Sequence, residues 1–129
     1  MNIFRNTVTL RGFLGRNAEV PTSDGIKFDS YAVLTLCVES GTWNKAANEW
    51  VPRTAYHRIV CPGPYFCGFT RGMEQGDYLE IEGELRIDLV VDSAAPKNPH
   101  QECRVYATQI RRLEIPALGV EEGAGREDT

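Results

Sequence analysis

Aromatic rings and cations interleave twice in this chain. In GTWNKAANEW, Trp43 and Trp50 bracket Lys45, and Arg53 follows; a little further on, Tyr56 and Arg58 stand two residues apart. Such pairs suit a single-stranded nucleic acid, because every base has a π face to stack on a ring and every phosphate needs a cation. Two residues is also the period of a strand, so an extended 53–61 places Thr54, Tyr56 and Arg58 on one face. Arg86 is a further candidate cation. Packing competes with these roles: Trp50, beside a strand start, suits packing onto the body as well as stacking, whereas Trp43, mid-loop among Gly, Asn and Lys, suits stacking better. Arg58 can equally pair with an acid on a neighbouring strand.

The other reactive side chains point elsewhere. His57 shares its parity with Ala55, Ile59 and Cys61, an apolar set, and is read as a buried, hydrogen-bonded histidine. Cys61-x5-Cys67 with His100-x-x-Cys103 offers four zinc ligands, but structural sites usually space cysteines by two to four residues, so neither a metal nor a cofactor is expected. The four cysteines form no Cys-x-x-Cys pair and are expected as free thiols in a reducing, cytoplasmic setting. There is no Gly-rich phosphate loop, no G-x-S-x-G elbow and no H-E-x-x-H, and the two histidines are far apart, so no enzyme is expected. Glu80, Glu82 and Glu84 alternate and read as a solvated strand face, away from nucleic acid.

The elements that must position these residues are strands. Leu79, Ile81, Gly83, Leu85 and Ile87 alternate with Tyr78, Glu80, Glu82, Glu84 and Arg86 over 77–87, which is the pattern of a strand with one buried face. Further strands are expected over 7–14, 26–38 (after the turn signal Ser23-Asp24-Gly25), 53–61 and about 103–114. One weak helix is expected over 65–75 after Pro62-Gly63-Pro64, with Phe66, Phe69 and Met73 facing the core. Two long connections, 39–52 and 88–102, separate strands two from three and four from five. Five strands with a helix between the third and fourth is the element order of an all-β OB-fold, a five-stranded Greek-key barrel; the helix argues against an SH3-like barrel or a small sandwich.

At 129 residues with 42% apolar residues, the chain suits one domain with one core. That domain is expected over 1–116, with 117–129 as an acidic disordered tail. Of the formal −4 charge, −3 lies in the tail, and residues 1–16 carry Arg5, Arg11 and Arg16 with no acid, so a basic face fits an acidic sequence. No apolar segment approaches the roughly 20 residues of a membrane span, and MNIFRNTVTL has no basic flank followed by an apolar signal core, so export is not expected.

Four segments, VTLRGFLG at 8–15, EWVPRTAYHRIV at 49–60, QGDYLEIEGELR at 75–86 and VYATQI at 105–110, follow in order the patterns of the bacterial single-stranded DNA-binding protein family, which this sequence resembles over most of 6–112. The third-strand segment is the most specific. The resemblance implies a homotetramer of OB-folds, with a dimer as the smaller alternative, that coats single-stranded DNA in replication, recombination and repair and is associated with the nucleoid. It also implies that Trp43 matches the family's loop tryptophan and Tyr56 its third-strand tryptophan. Pro62 and Val90 stand where the family has aromatics, Asp88 and Leu89 where it has cations, so two of four stacking platforms are absent. The ending Arg126-Glu127-Asp128-Thr129 differs from the family's acids followed by Ile-Pro-Phe, so recruitment of partners through a C-terminal Phe is not expected. Instead, the tail acids are expected to compete with DNA phosphates for the basic groove at low salt. An OB-fold protein–protein module, or a primosome-type dimer with weak or lost DNA binding, is the alternative that these departures keep open.

Overall fold

A computed structural model describes residues 3–92 and 95–115. The strands are β1 (Val8–Leu14), β2 (Tyr31–Asn44), β3 (Glu49–Pro62), β4 (Tyr78–Asp92) and β5 (Ala95–Arg112), with one helix, α1 (Pro64–Thr70), between β3 and β4. They close into a barrel in the order β1-β2-β3-β5-β4, with β4 returning to β1. Only β3 and β5 run parallel; the other neighbours are antiparallel. This is the OB-fold expected from the element order. Among the described residues no helix is long and apolar enough to cross a membrane.

The barrel forms because period-two alternation sends one side chain in two inward. Leu14 from β1, Ala32, Leu34 and Leu36 from β2, Ile59 and Cys61 from β3, Leu79 and Ile81 from β4, and Val105 and Ala107 from β5 make one buried cluster. Burial pushes the Cys61 thiol up to about 12, so it is an inert part of that core. Closure needs a strand to pass close to its neighbour at Gly12, where any Cβ would run into the Cys37 carbonyl oxygen.

The helix is shorter than its 65–75 expectation. Pro64 occupies its first turn after Gly63, whose φ of +96° suits glycine, and Gly72 at φ +91° turns the chain away before the Phe66, Phe69 and Met73 spacing is complete. Cys67 and Thr70 are its buried residues, and Thr70 Oγ1 donates to the Phe66 carbonyl at 2.7 Å. Met73 reaches the core from the following turn and Phe66 packs against it, but Phe69 is exposed and stacks on Tyr65.

The larger correction concerns the two long connections, which are strands. Residues 39–44 extend β2 and 49–52 extend β3, leaving only 45–48 as a turn, where Asn44 Oδ1 accepts from the Ala47 N–H at 3.2 Å and Asn48 adopts φ 54°. Likewise β4 runs past residue 87 and β5 begins before 103, so a second ribbon fills most of 88–102. The start of β2 is late instead: Ser23–Gly25 form a turn of 3-10 helix and regular pairing begins at Tyr31. The expected tail, 117–129, lies outside the described residues.

Glu80 ties β1, β4 and β5 together. Its carboxylate meets Arg11 from β1 at 2.6 Å and Arg111 from β5 at 2.6 Å, so it is a paired group and not merely a solvated one. The hydrogen bonds from Arg11 and then Arg111 hold its pKa below the ordinary carboxylate value. A depressed carboxyl pKa contributes stability above the unfolded-state value, and that contribution disappears as pH falls through the lowered folded-state value. Glu80→Gln is therefore expected to melt below the wild type at pH 7, with the gap closing as the pH drops below about 4. A gap of constant size across this range in thermal melts contradicts the assignment.

Candidate nucleic-acid interface

β2 and β3, each 14 residues long, pair along their whole length without a register shift, from Tyr31↔Pro62 to Asn44↔Glu49. Unbroken pairing makes side-chain direction a matter of parity. Even positions of β3 and odd positions of β2 point away from the core, and this outer face carries Trp43 opposite Trp50, Cys37 opposite Tyr56, and Thr35 opposite Arg58. The rings are open to solvent: Trp43 is 54%, Trp50 56% and Tyr56 66% exposed. Trp50 is also partly packed, since its indole lies across Gly41, where a Cβ would stand 2.5 Å from Trp50 Cζ2. Trp50 thus packs onto the ribbon with part of its ring and leaves the rest open. Tyr56 likewise leans over Gly15, whose Cβ would lie 3.2 Å from Tyr56 Cε1.

β3 and β5 pair only at Ile59↔Val105 and Val60↔Tyr106. On one side of these pairs the two strands diverge, and a groove of about 440 Å³ opens between them, lined by Tyr31, Tyr56, His57 and Arg58 on one side and by Glu102 and Arg104 on the other. His57 is half-buried here, with no hydrogen-bond partner among the described residues; the expectation of a buried, hydrogen-bonded histidine fails because the strands part at this point.

The outer face of the β4–β5 ribbon continues the surface beyond the groove, with Glu84↔Tyr106, Arg86↔Arg104, Asp88↔Glu102 and Val90↔His100 as cross-strand pairs. Arg86 binds Glu84 at 2.8 Å and lies 4.4 Å above the Tyr106 ring centroid. The Tyr106 hydroxyl donates to Asp88, a bond that raises its pKa. Glu102 accepts from His100 at 2.9 Å and Arg104 at 3.1 Å, and these bonds hold its pKa down. Arg58 stands 3.7 Å from Glu19, so it has an acid partner as anticipated, but from the connection between β1 and β2 and not from a neighbouring strand. The cations of this face are present, but each has an acid beside it.

The structure therefore sets Trp43, Trp50, Tyr56 and Arg58 along one face, with Arg86 on the neighbouring ribbon opposite Arg104. Lys45 sits in the exposed turn at the ribbon tip. Arg53 is separated from the others: opposite Ser40, it belongs to the other face of the ribbon. Tyr31, Arg104 and Tyr106 lie on the outer surface and were absent from the sequence candidates, although odd parity along β2 aligns Tyr31 with Trp43 once the strand is known to reach residue 44. On the inner parity of the second ribbon, Leu85, Ile87, Leu89 and Val91 run past the end of the barrel and are exposed. Cys61 and Cys67 are in the core while His100 and Cys103 are on this ribbon, so the four candidate zinc ligands are not gathered; among the described residues no group of three His, Cys, Asp or Glu could hold a metal ion.

Comparison with known proteins places the fold. No family model matches the chain, and no curated protein matches it. Among solved structures it is similar to the Plasmodium falciparum SSB in complex with ssDNA, with a TM-score of 0.70 at 19% identity over 88% of this chain and 100% of that one. It is similar to a deletion mutant of the single-stranded DNA binding protein from Thermus aquaticus, with a TM-score of 0.64 at 22% identity over 85% of this chain and 51% of that one, about half its length. The small single-stranded DNA-binding protein from Streptomyces coelicolor gives a TM-score of 0.56 at 13% identity over 85% of this chain and 96% of that one. These likenesses define the chain as an OB-fold of the architecture seen in single-stranded DNA-binding proteins.

Proposed function

We propose that this protein binds single-stranded DNA without sequence choice, by stacking bases on Trp43, Trp50 and Tyr56 and neutralising phosphates with Lys45, Arg58 and Arg86, in support of DNA replication, recombination and repair. Arg53, on the other face, contributes by long-range attraction only. The observation that carries this reading is the gathering of three exposed rings on one unbroken strand face that leads into an arginine-lined groove. The resemblance of EWVPRTAYHRIV to the third strand of the bacterial family, and the similarity to the Plasmodium protein in its complex with ssDNA, support the same reading. It requires no cofactor and no catalytic step, and it fits a nucleoid-associated protein of the cytoplasm.

Stacking carries most of the affinity. Each stacked base is worth about 1–3 kcal/mol on removal of its ring, and with most cations already paired the salt dependence is shallow. Titration with a long oligo-dT is expected to quench the tryptophan emission, with Trp43→Ala and Tyr56→Ala each weakening binding by about 1–3 kcal/mol. Absence of quenching at low salt, or a Tyr56→Ala variant that binds as tightly as wild type, contradicts the proposal and favours a protein–protein module.

We further infer self-assembly to a homotetramer, or failing that a dimer. Leu85, Ile87, Leu89 and Val91 form an exposed apolar row that a second copy of the chain covers. Ile87→Glu is expected to lower the mass seen by light scattering at micromolar concentration. A wild type already monomeric there rules out assembly.

A further inference from the structure

Pro62 removes a ring from β3 at the position where the resemblance calls for one, and the register places a ring directly across from it. Tyr31 is the cross-strand partner of Pro62. It belongs to the outer parity of β2, with Val33, Thr35 and Cys37, it is 53% exposed, and it lines the groove between β3 and β5. The backbone beneath it is fixed, since the Ser30 carbonyl accepts from the Gly63 N–H at 2.8 Å, just outside the Tyr31↔Pro62 pair. Its hydroxyl has no hydrogen-bond partner among the described residues, and its ring stacks on no neighbour there.

The spacing of the rings is regular. Tyr31, the Cys37↔Tyr56 pair and the Trp43↔Trp50 pair are six residues apart along the ribbon, which is about 20 Å per step and about 40 Å in all at roughly 3.3 Å per residue. Arg58, two residues from Tyr56 towards the Tyr31 end, and Arg104 on the far wall supply guanidinium groups in the same groove. Glu102 also lines it, but its carboxylate is taken by Arg104 and His100. A ring, two cations and an apolar floor of Val33 and Val60 match one nucleotide of a single strand: the base on the ring and the phosphate on the arginines.

We propose that Tyr31 is a base-stacking platform, supplying from β2 the ring that Pro62 denies to β3, with Arg58 and Arg104 holding the adjacent phosphates. This rests on the single-stranded DNA reading above and extends it. The strand then passes from the ribbon tip over Tyr56 into the groove, and the loss at Pro62 is made good by an exchange of strands.

The test uses the full chain and oligo-dT. Tyr31→Ala is expected to weaken binding by roughly 5- to 150-fold, the range equivalent to one stacked base, while Tyr31→Phe keeps wild-type affinity because the ring and not the hydroxyl is used. A second readout does not depend on the alanine variant folding. In a chain carrying Trp43→Phe and Trp50→Phe, Tyr31→Trp makes position 31 the sole tryptophan site, and its emission is expected to be quenched by oligo-dT. If the wild type is quenched but Tyr31→Ala binds equally well and the emission from position 31 does not change, Tyr31 is not a platform and the DNA reading stands without it. If oligo-dT quenches neither chain, both proposals fall.

Discussion

The unbroken register between β2 and β3 is the constraint on which the rest of the structure depends. Ala32, Leu34, Leu36, Ile59 and Cys61 fix the barrel end of the two strands by burial, and because side-chain direction has a period of two, that choice propagates to the ribbon tip. A slip of β3 by one residue would turn Tyr56, Arg58 and Trp50 to the inner face and leave Trp43 on the outer one, splitting the aromatic surface. The core thus specifies the aromatic surface although the two share no side chain. Removing a buried leucine such as Leu34, at about 2–5 kcal/mol for truncation to alanine, loosens the element that aims the rings.

Electrostatics plays a smaller part than the arginine content suggests. Arg11 and Arg111 share Glu80, Arg86 holds Glu84, Arg104 holds Glu102, Arg112 meets Asp77 and Arg58 faces Glu19. Most of these pairs are exposed and individually weak, so a phosphate can take the place of a carboxylate, but the carboxylate stays nearby and limits the net attraction. A surface of this kind relies on rings, which act through a neutral base face and need no charge.

Much of the barrel was legible in the sequence because its signals are local. The alternation over 77–87 and the Pro62-Gly63-Pro64 break before the helix led directly to β4 and α1, and the element order led to the OB-fold. The ribbons were not legible. GTWNKAANEW carries Gly, Asn and Lys, which ordinarily mark loops, and its strand character comes from cross-strand pairing that no single segment reveals. The same holds for the candidate site. Tyr56 and Arg58 stand out through their spacing on one strand, whereas Tyr31 becomes visible only when its partner is known to be Pro62, and Arg53 departs from the set only when strand parity extends through the presumed loop. The half-exposed state of His57 depends on β3 and β5 parting after two pairs, a long-range feature.

The central claim is that one face, the outer side of the β2–β3 ribbon, receives the nucleic acid. Ultraviolet crosslinking of the full chain to oligo-dT, followed by mapping of the modified peptides, tests it most directly. Adducts at Trp43, Trp50 and Tyr56, with none at Tyr65 and Phe69 on the helix, are the predicted result. Adducts confined to those other aromatics, or none at all from a bound complex, would contradict it.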